Sequence, residues 1–452
     1  MSGFLSGPLP VFTSLWKIEM AGNHVIREFG TILRRKDYPV QPDTFDCIYL
    51  DDKPFDRLKD FVSENVDPAN SVEMAFSAMR SRGKDRIRVG NMVGVIEITG
   101  GTTIEILPKI HLAADPDDQN LTRRIFLRML RCLHDSPFKT IDQAHLKTSR
   151  FPVLEVFITT YLGALSGLIN KGLKQHYVYM EENALFLKGR LNFTDHLREN
   201  LLRRERFHIS FDEFNLNIPQ NKIIKSTLSI LAGKSRTSHN KLLINNYIRL
   251  FDSIEPSENL VRDMASIESG GNRLYSHYDQ VLKWSRVFLM GESFTNFKGK
   301  CLNMAILYPM ERIFEDYVGA RMKSRYPDDD ISLQDRSHYL VEQHQGARKF
   351  RIRPDIVIRR GGSVHSVLDT KWKEIDRLAS AANYNISQAD MYQLYAYGKK
   401  YRTLTKGHPK LLLIYPRNNK FVEPLHFQYE DGMELWATPY DLEGDMVEIP
   451  QT

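Results

Sequence analysis

Apolar and polar residues alternate through RIRVGNMVGVIEI and TTIEILPKI, two strand-length runs joined by Thr99-Gly100-Gly101-Thr102, and the pattern predicts a β-hairpin. Residues 1–115 as a whole read as β-rich. The acidic stretch ADPDDQN (114–120) then marks a boundary. Beyond it the period becomes helical in LTRRIFLRMLRCL, PVLEVFITTYLGALSGLINKGL and NKIIKSTLSILAGK, with a short β segment near 176–195 and a Gly270-Gly271 turn. Past residue 296, MERIFEDYVGARM predicts a helix with Met310, Ile313, Phe314, Tyr317 and Val318 inward. FRIRPDIVIRRGGSVHSVLDTKWKEI predicts two strands about an Arg-Gly-Gly-Ser turn. A helix at MYQLYAYGKKY, with Met391, Leu394, Tyr395 and Gly398 on one face, and a strand at KLLLIYP (410–416) follow. The patterning predicts an α+β multidomain chain: a β-rich N-terminal domain (1–115), a mainly helical middle domain (116–295) and a C-terminal α/β domain (296–452).

Chemistry concentrates in the last of these. If the hairpin folds about Gly362, Asp355 stands across from Asp369, because the two are equally spaced from the turn, and both acids fall in mid-strand. Asp369 and Lys371 are two apart on a strand, so they share a face, roughly 6.6 Å apart along the backbone. Two carboxylates and an ammonium then converge, the arrangement that holds Mg²⁺ and activates water against a phosphodiester. Thr370 and Trp372 point the other way and are expected to pack. Glu311 and Glu315 project from the flank of the preceding helix, and Glu315 is the better third carboxylate. Ser387 and Asp390 have capping-box character ahead of the following helix, on which Gln393 and Tyr397 are four apart and therefore neighbours. Arg351 and Arg353 alternate with Phe350 and Ile352 on the Asp355 face and are candidate phosphate contacts.

The combination of a Glu helix, Pro-Asp and Asp-x-Lys strands and a Gln-x-x-x-Tyr helix resembles the PD-(D/E)xK nuclease superfamily over residues 305–415. The wording RPDIVI, VLDTKWK and DMYQLYAYG, together with IEILPKI (104–110), KGRLNFTDHLREN (188–200) and IPQNKIIKSTLSIL (218–231), is similar to the McrC family, the nuclease subunits of McrBC-type modification-dependent restriction systems. The resemblance covers roughly residues 85–415 and is silent for 1–85. It implies a restriction-endonuclease-like C-terminal domain, with Asp355 and Asp369 as Mg²⁺ ligands (Mn²⁺ can substitute) and Glu315 supporting the metal or its waters. Lys371 would act on the attacking water or on the charge of the phosphorane, where a partly desolvated cleft lowers its pKa. Gln393 and Tyr397 would be supporting or phosphate-backbone contacts. It further implies a partner, an McrB-like AAA+ GTPase hexamer that reads 5-methylcytosine and moves double-stranded DNA. This chain would cut that DNA and stimulate the partner's GTPase through its front half, with Lys109, Arg86 and Arg88 as candidate contacts. The sequence leaves two alternatives open: a non-catalytic GTPase-activating, DNA-docking scaffold, and a stand-alone repair nuclease.

Composition narrows these readings. No GxxxxGK[ST] occurs, so no nucleotide is expected to bind this chain through a P-loop. A net charge of +6 is compatible with nucleic acid, and the basic residues cluster at 80–88, 123–131, 188–206 and 349–360. Cys47, Cys132 and Cys301 are too scattered for a zinc ribbon or disulfide framework. No apolar run is expected to span a membrane and no signal-peptide layout opens the chain, so a cytoplasmic location is expected.

Overall fold

A computed structural model describes residues 22–39, 41–64, 75–112, 115, 117–141, 151–269, 273–290, 301–402 and 408–447. The front part contains β1 (Asn23–Arg27), β2 (Thr31–Arg34), β3 (Cys47–Leu50), α1 (Asp52–Glu64), β4 (Phe76–Ser81), β5 (Lys84–Val89), β6 (Met92–Ile98) and β7 (Thr102–Leu107). The hairpin expected at Thr99–Thr102 is present: β6 and β7 pair antiparallel with Ile98 opposite Thr102. The run RIRVGNMVGVIEI, however, is two strands. β5 joins a sheet of order β3-β2-β5-β4, whereas β6 belongs to another of order β1-β7-β6-β11. Every residue of β6 is buried, so its near-continuous apolar text reflects two covered faces rather than one. The α1 helix was not anticipated in the β-rich reading; it seals the front with Phe55, Leu58, Phe61 and Val62.

The middle part holds α2 (Gln119–Leu130), α3 (Val153–Lys171), β8 (His176–Ala184), β9 (Arg190–Leu191), α4 (Phe193–Asn200), β10 (Phe207–Asn215), α5 (Pro219–Lys234), α6 (Ser238–Leu250), α7 (Leu260–Ser269) and α8 (Asp279–Met290). Asp118 caps α2 by accepting from the amides of Asn120 and Leu121. By length and composition α3 could cross a membrane, contrary to the expectation that no segment could. Its Val153, Phe157, Tyr161 and Leu165 are instead buried in the core. The Gly270-Gly271 turn lies outside the described residues. Strands β8, β10 and β9 form a separate antiparallel sheet. Together with α4 it displays Leu185, Phe186, Leu187, Phe193, Leu197, Leu201 and Leu202 to solvent.

The last part runs β11 (Leu302–Pro309), α9 (Met310–Arg325), β12 (Asp330–Leu333), β13 (Tyr339–His344), β14 (Ala347–Arg351), β15 (Ile356–Arg360), β16 (Ser363–Thr370), α10 (Gln388–Lys400), β17 (Lys410–Pro416), β18 (Leu425–Gln428), β19 (Glu434–Asp441) and β20 (Met446–Val447). Although β11 follows the boundary expected at 295/296, it pairs antiparallel with β6 and completes the front sheet. The two strands approach so closely at Gly94 (φ +141°) that a Cβ there would fall on the Ile306 carbonyl. The remaining strands form a mixed sheet of order β12-β15-β16-β17-β19-β18, with β20 on β19 and with β16, β17 and β19 parallel. Period-2 alternation sorts its side chains into two cores. Ile356, Ile358, Leu368, Leu412 and Ile414 pack with Ile313 and Phe314 of α9 in a cluster continuous with the front half. Val357, Val367, Leu411 and Leu413 pack with Leu394 and Tyr397 of α10 in a second cluster. A sheet covered on both faces explains why Asp355 and Asp369 are embedded in such apolar text.

Candidate active site

Two glycines with positive φ, Gly361 (55°) and Gly362 (75°), close the β15–β16 hairpin as a two-residue turn. Near the turn Arg359 pairs with Val364 and Arg360 with Ser363, but Ile358 pairs with Ser366. His365 is therefore an extra residue in β16, a β-bulge. This one residue sets the site. A regular two-residue hairpin would put Asp355 opposite Leu368; the bulge makes Ile356 pair with Leu368, so the next step brings Asp355 level with Asp369. The expected juxtaposition is present, but through the bulge and not through a turn centred on Gly362. The acids are also not mid-strand. Asp355 precedes β15 and Asp369 is the penultimate residue of β16, so both stand at the end of the sheet remote from the turn.

The parity of the alternation points Asp369 and Lys371 toward α10. The Lys371 amide extends the ladder to the Ile414 carbonyl (2.9 Å). Its Nζ contacts Asp369 Oδ2 and donates to Gln393 Oε1 (3.4 Å). Gln393 Nε2 donates to the Tyr397 hydroxyl (2.8 Å), which donates to the Arg353 carbonyl (3.3 Å). The Gln-x-x-x-Tyr pair thus links the lysine to the chain entering Asp355. Asp390 is not a capping residue: Ser387 makes no side-chain cap, and the buried Asp390 carboxylate takes Lys373 Nζ at 2.7 Å. Thr370, expected only to pack, donates both its amide (2.7 Å) and hydroxyl (2.8 Å) to Asp355 Oδ2. Trp372 packs edge-on against Phe314 and donates to Glu28 Oε1 (2.8 Å). Glu315 accepts from Gln334 Nε2 (2.6 Å), and Gln334 in turn holds Arg353. Glu311, the other flank acid, is taken by Asn91 Nδ2 (2.6 Å). Thr370, Gln334 and Asp390 were the residues missed. Only the adjacency of Thr370 to Asp369 could have hinted at its part.

Burial, reinforced by Glu315, pushes the Asp355 carboxyl up to about 6. Burial and the Asp355 charge push Asp369 up to about 7, and burial raises Glu315 as well. Burial alone would lower the Lys371 ammonium, but the Asp369 carboxylate overrides it and the net direction is upward. The expected depression of this lysine is therefore absent from the chain by itself. Asp355 Oδ1 and Asp369 Oδ1 have no hydrogen-bond donor among the described residues, while each partner Oδ2 is held. Two hard oxygens on buried carboxylates, Asp355 beside Glu315 and Asp369 beside Asp355, suit a divalent cation. Among the described residues no three His, Cys, Asp or Glu cluster closely enough to hold an ion. Asp355 and Asp369 alone would supply two carboxylates, and Mg²⁺ held by them would keep positions for water and phosphate.

The other sequence candidates scatter. Arg351 is not on the Asp355 strand; it ends β14, in a two-stranded sheet with β13. Lys109 Nζ pairs with Glu374 (2.7 Å) and its amide donates to Glu28 (2.7 Å). Arg86 lies against Tyr38, donating to its hydroxyl (3.0 Å), and Arg88 is exposed on β5. Arg123, from the second basic cluster, is buried on Glu105 (2.5 Å).

None of the curated proteins matches the chain. Among solved structures, a chain in the half-complex from a tetradecameric assembly of Thermococcus gammatolerans McrB AAA+ hexamers with bound McrC is similar over 94% of this chain and 96% of its own, at 17% identity and a TM-score of 0.68. A chain in the cryo-EM structure of the Thermococcus gammatolerans McrBC complex is similar over 68% of this chain and 88% of its own, at 17% identity and a TM-score of 0.49. The first likeness is one of fold, and its 94% coverage reaches into the first 85 residues, where the sequence resemblance is silent. The family described as McrBC 5-methylcytosine restriction system component matches residues 87–416, well over half of the sequence. The chain belongs to the McrBC 5-methylcytosine restriction system component family.

Proposed function

We propose that this chain is the Mg²⁺-dependent DNA endonuclease subunit of a two-component, GTP-driven restriction system that cuts 5-methylcytosine-containing DNA, and that it activates an McrB-like AAA+ GTPase. The observation that carries the reading is the convergence of Asp355, Asp369 and Lys371 at one end of the mixed sheet, with Gln393 on the lysine. The fold proposed for this part is PD-(D/E)xK. Held by Asp355 and Asp369, Mg²⁺ would act as a Lewis acid on the phosphate. The chain's own groups do the remaining work. Thr370 fixes one oxygen of Asp355, so its other oxygen keeps one direction. Lys371, held by Asp369 and Gln393, sets a positive charge beside the phosphate, where negative charge grows as water attacks phosphorus and the bond to the leaving sugar oxygen breaks. Gln393 and Tyr397 orient that lysine.

The partner reading draws support from the McrB AAA+ hexamers with which McrC is bound in the structural neighbour. It also draws support from the apolar lobe of β8–β10 and α4. Large exposed apolar side chains gathered on one lobe are the kind of surface covered in an assembly, and Lys188, Arg190 and Arg198 interleave with them in the sequence. Lys109, already paired with Glu374, is a weaker contact candidate than the exposed Arg88.

The test is Asp369→Ala, assayed with the partner, Mg²⁺ and GTP on methylated plasmid. Cleavage should be lost while GTPase stimulation persists. Unchanged cleavage would show that the site is elsewhere, and appreciable GTP hydrolysis by the purified chain alone would sink the division of labour.

A further inference from the structure

Between β12 and β15 the chain leaves the mixed sheet and forms a free-standing ribbon of β13 and β14, pairing Tyr339 with Arg351 and Val341 with Lys349. Every residue from Glu342 to Arg351 is exposed. Gln345 (φ 50°) and Gly346 (φ 78°) make the tight turn at its tip. An isolated two-stranded hairpin is marginal in water, so its footing matters. Here the Ile352 amide donates to the His338 carbonyl (3.1 Å), His338 meets the Tyr401 ring edge-on at 4.4 Å, and the Tyr401 hydroxyl donates to Asp335 (3.1 Å). Tyr397 of α10 holds the Arg353 carbonyl two residues ahead of Asp355. The ribbon is thus clamped at its base to the helix that positions Lys371.

Its charge is one-sided. Arg348, Lys349 and Arg351 lie on β14, and the one acid of the ribbon, Glu342, is offset by Arg348 (3.4 Å) and by Lys400 of α10 (3.2 Å). Lys349 has no acidic partner among the described residues. The Arg351 guanidinium lies over the Tyr339 ring, 4.9 Å from its centroid, and donates to the hydroxyl (2.9 Å), which stiffens the arginine without neutralising it. Phe350 stands exposed between these cations in a left-handed conformation (φ 56°) that breaks the strand's alternation. Cations interleaved with an aromatic on a two-stranded ribbon match a duplex, whose phosphates take the cations and whose major groove admits such a ribbon.

We propose that the β13–β14 ribbon is a duplex-DNA-binding arm that grips the substrate to one side of the scissile phosphate. This rests on the nuclease reading above and adds to it where the duplex lies. Asp355 is four positions beyond Arg351, a reach of at most about 14 Å. The tip is about six residues farther out along β14, another ~20 Å. The arm therefore covers phosphates within about one helical turn of the cut.

The test is binding of the full-length chain to a 5-methylcytosine duplex of about 30 base pairs, by fluorescence anisotropy without divalent ions, over a salt series. The triple variant Arg348→Ala/Lys349→Ala/Arg351→Ala should bind at least tenfold more weakly at low salt. Its slope of log affinity against log salt should be shallower by about 2–3, one per lost phosphate contact, with an unchanged melting temperature. Lys349→Glu alone should weaken binding in the same direction. Equal affinity and slope for parent and variants, or no binding by the parent beyond that of the triple variant, overturns the proposal. So does loss of AAA+ partner association with DNA binding intact, which would assign the arm to a protein contact. Because no cleavage is read, failure here leaves the Asp369→Ala test standing, and the reverse holds too.

Discussion

Replacing Asp369 by asparagine should stabilise the chain at alkaline pH, at the expense of its proposed chemistry. In the folded protein this carboxyl is raised from 3.8 to about 7, by burial first and by Asp355 second. Below about pH 4 the group is protonated in both folded and unfolded chains, and no penalty exists. Between about 4 and 7 the unfolded chain ionises while the folded one resists, so stability falls as pH rises; above 7 the penalty is constant. Its full size is about 4 kcal/mol, of which only about a third has appeared at pH 5. Asparagine removes the charge, and because the Lys371 contact already lowers this carboxyl within that net shift, no further loss is subtracted for it. The expectation is a gain of about 4 kcal/mol at pH 8 and about a third of that at pH 5. Thermal or chemical unfolding of parent and Asp369→Asn at both pH values, in chelator, measures this directly. Adding Mg²⁺ should then stabilise the parent, by about 2.7 kcal/mol at a hundred times its dissociation constant, and leave the variant unmoved. A parent–variant difference that is the same at pH 5 and pH 8 refutes the claim that the carboxyl is strained. Equal Mg²⁺ stabilisation of both proteins refutes its role as a ligand.

Two further outcomes test the support of the site. Glu28, buried and pushed up to about 8 by desolvation, accepts from the Lys109 amide and the Trp372 indole. Glu28→Leu should cost about 2–5 kcal/mol in chemical denaturation by leaving two buried donors unmet, whereas Glu28→Gln, which keeps the acceptor, should stay within about 1 kcal/mol of the parent. Thr370→Val removes the hydroxyl that fixes Asp355 Oδ2; calorimetric Mn²⁺ affinity should fall about tenfold, the equivalent of one charge-assisted hydrogen bond, and Thr370→Ser should restore it.

The hairpin of Asp355 and Asp369 was legible because paired glycines and alternating apolar residues are local signals. The inward face of α9 was legible for the same reason, through its helical period. The reason the two acids align was not. Nothing in SVHSVLDT marks His365 as the supernumerary residue, since a bulge depends on the partner strand and not on its own text. The end of the β13–β14 ribbon, Phe350-Arg351, was hidden inside FRIRPD, which reads as the start of a strand, although Phe350 turns left-handed and Ile352–Pro354 lie outside any strand. Asp390 looked like part of a capping box because Ser and Asp three apart before a helix usually are one. A lysine seventeen residues upstream claimed it instead. Likewise, the buried strand β6 and the orphan-looking β11 could be matched only in three dimensions.

That last pairing bears on how such a protein can be taken apart. A cut at 295/296 would leave the front piece with β6 bare along one edge, seven apolar-rich residues offering unpaired amides and carbonyls to any passing strand. The back piece would carry β11 with its natural neighbour missing and a strap of buried side chains, Ala305 to Leu307, turned out to water. The C-terminal part is therefore not a cassette. Grafting residues 296–452 onto another carrier would transplant one strand of a four-stranded sheet, and a soluble graft would have to bring residues 92–98 with it.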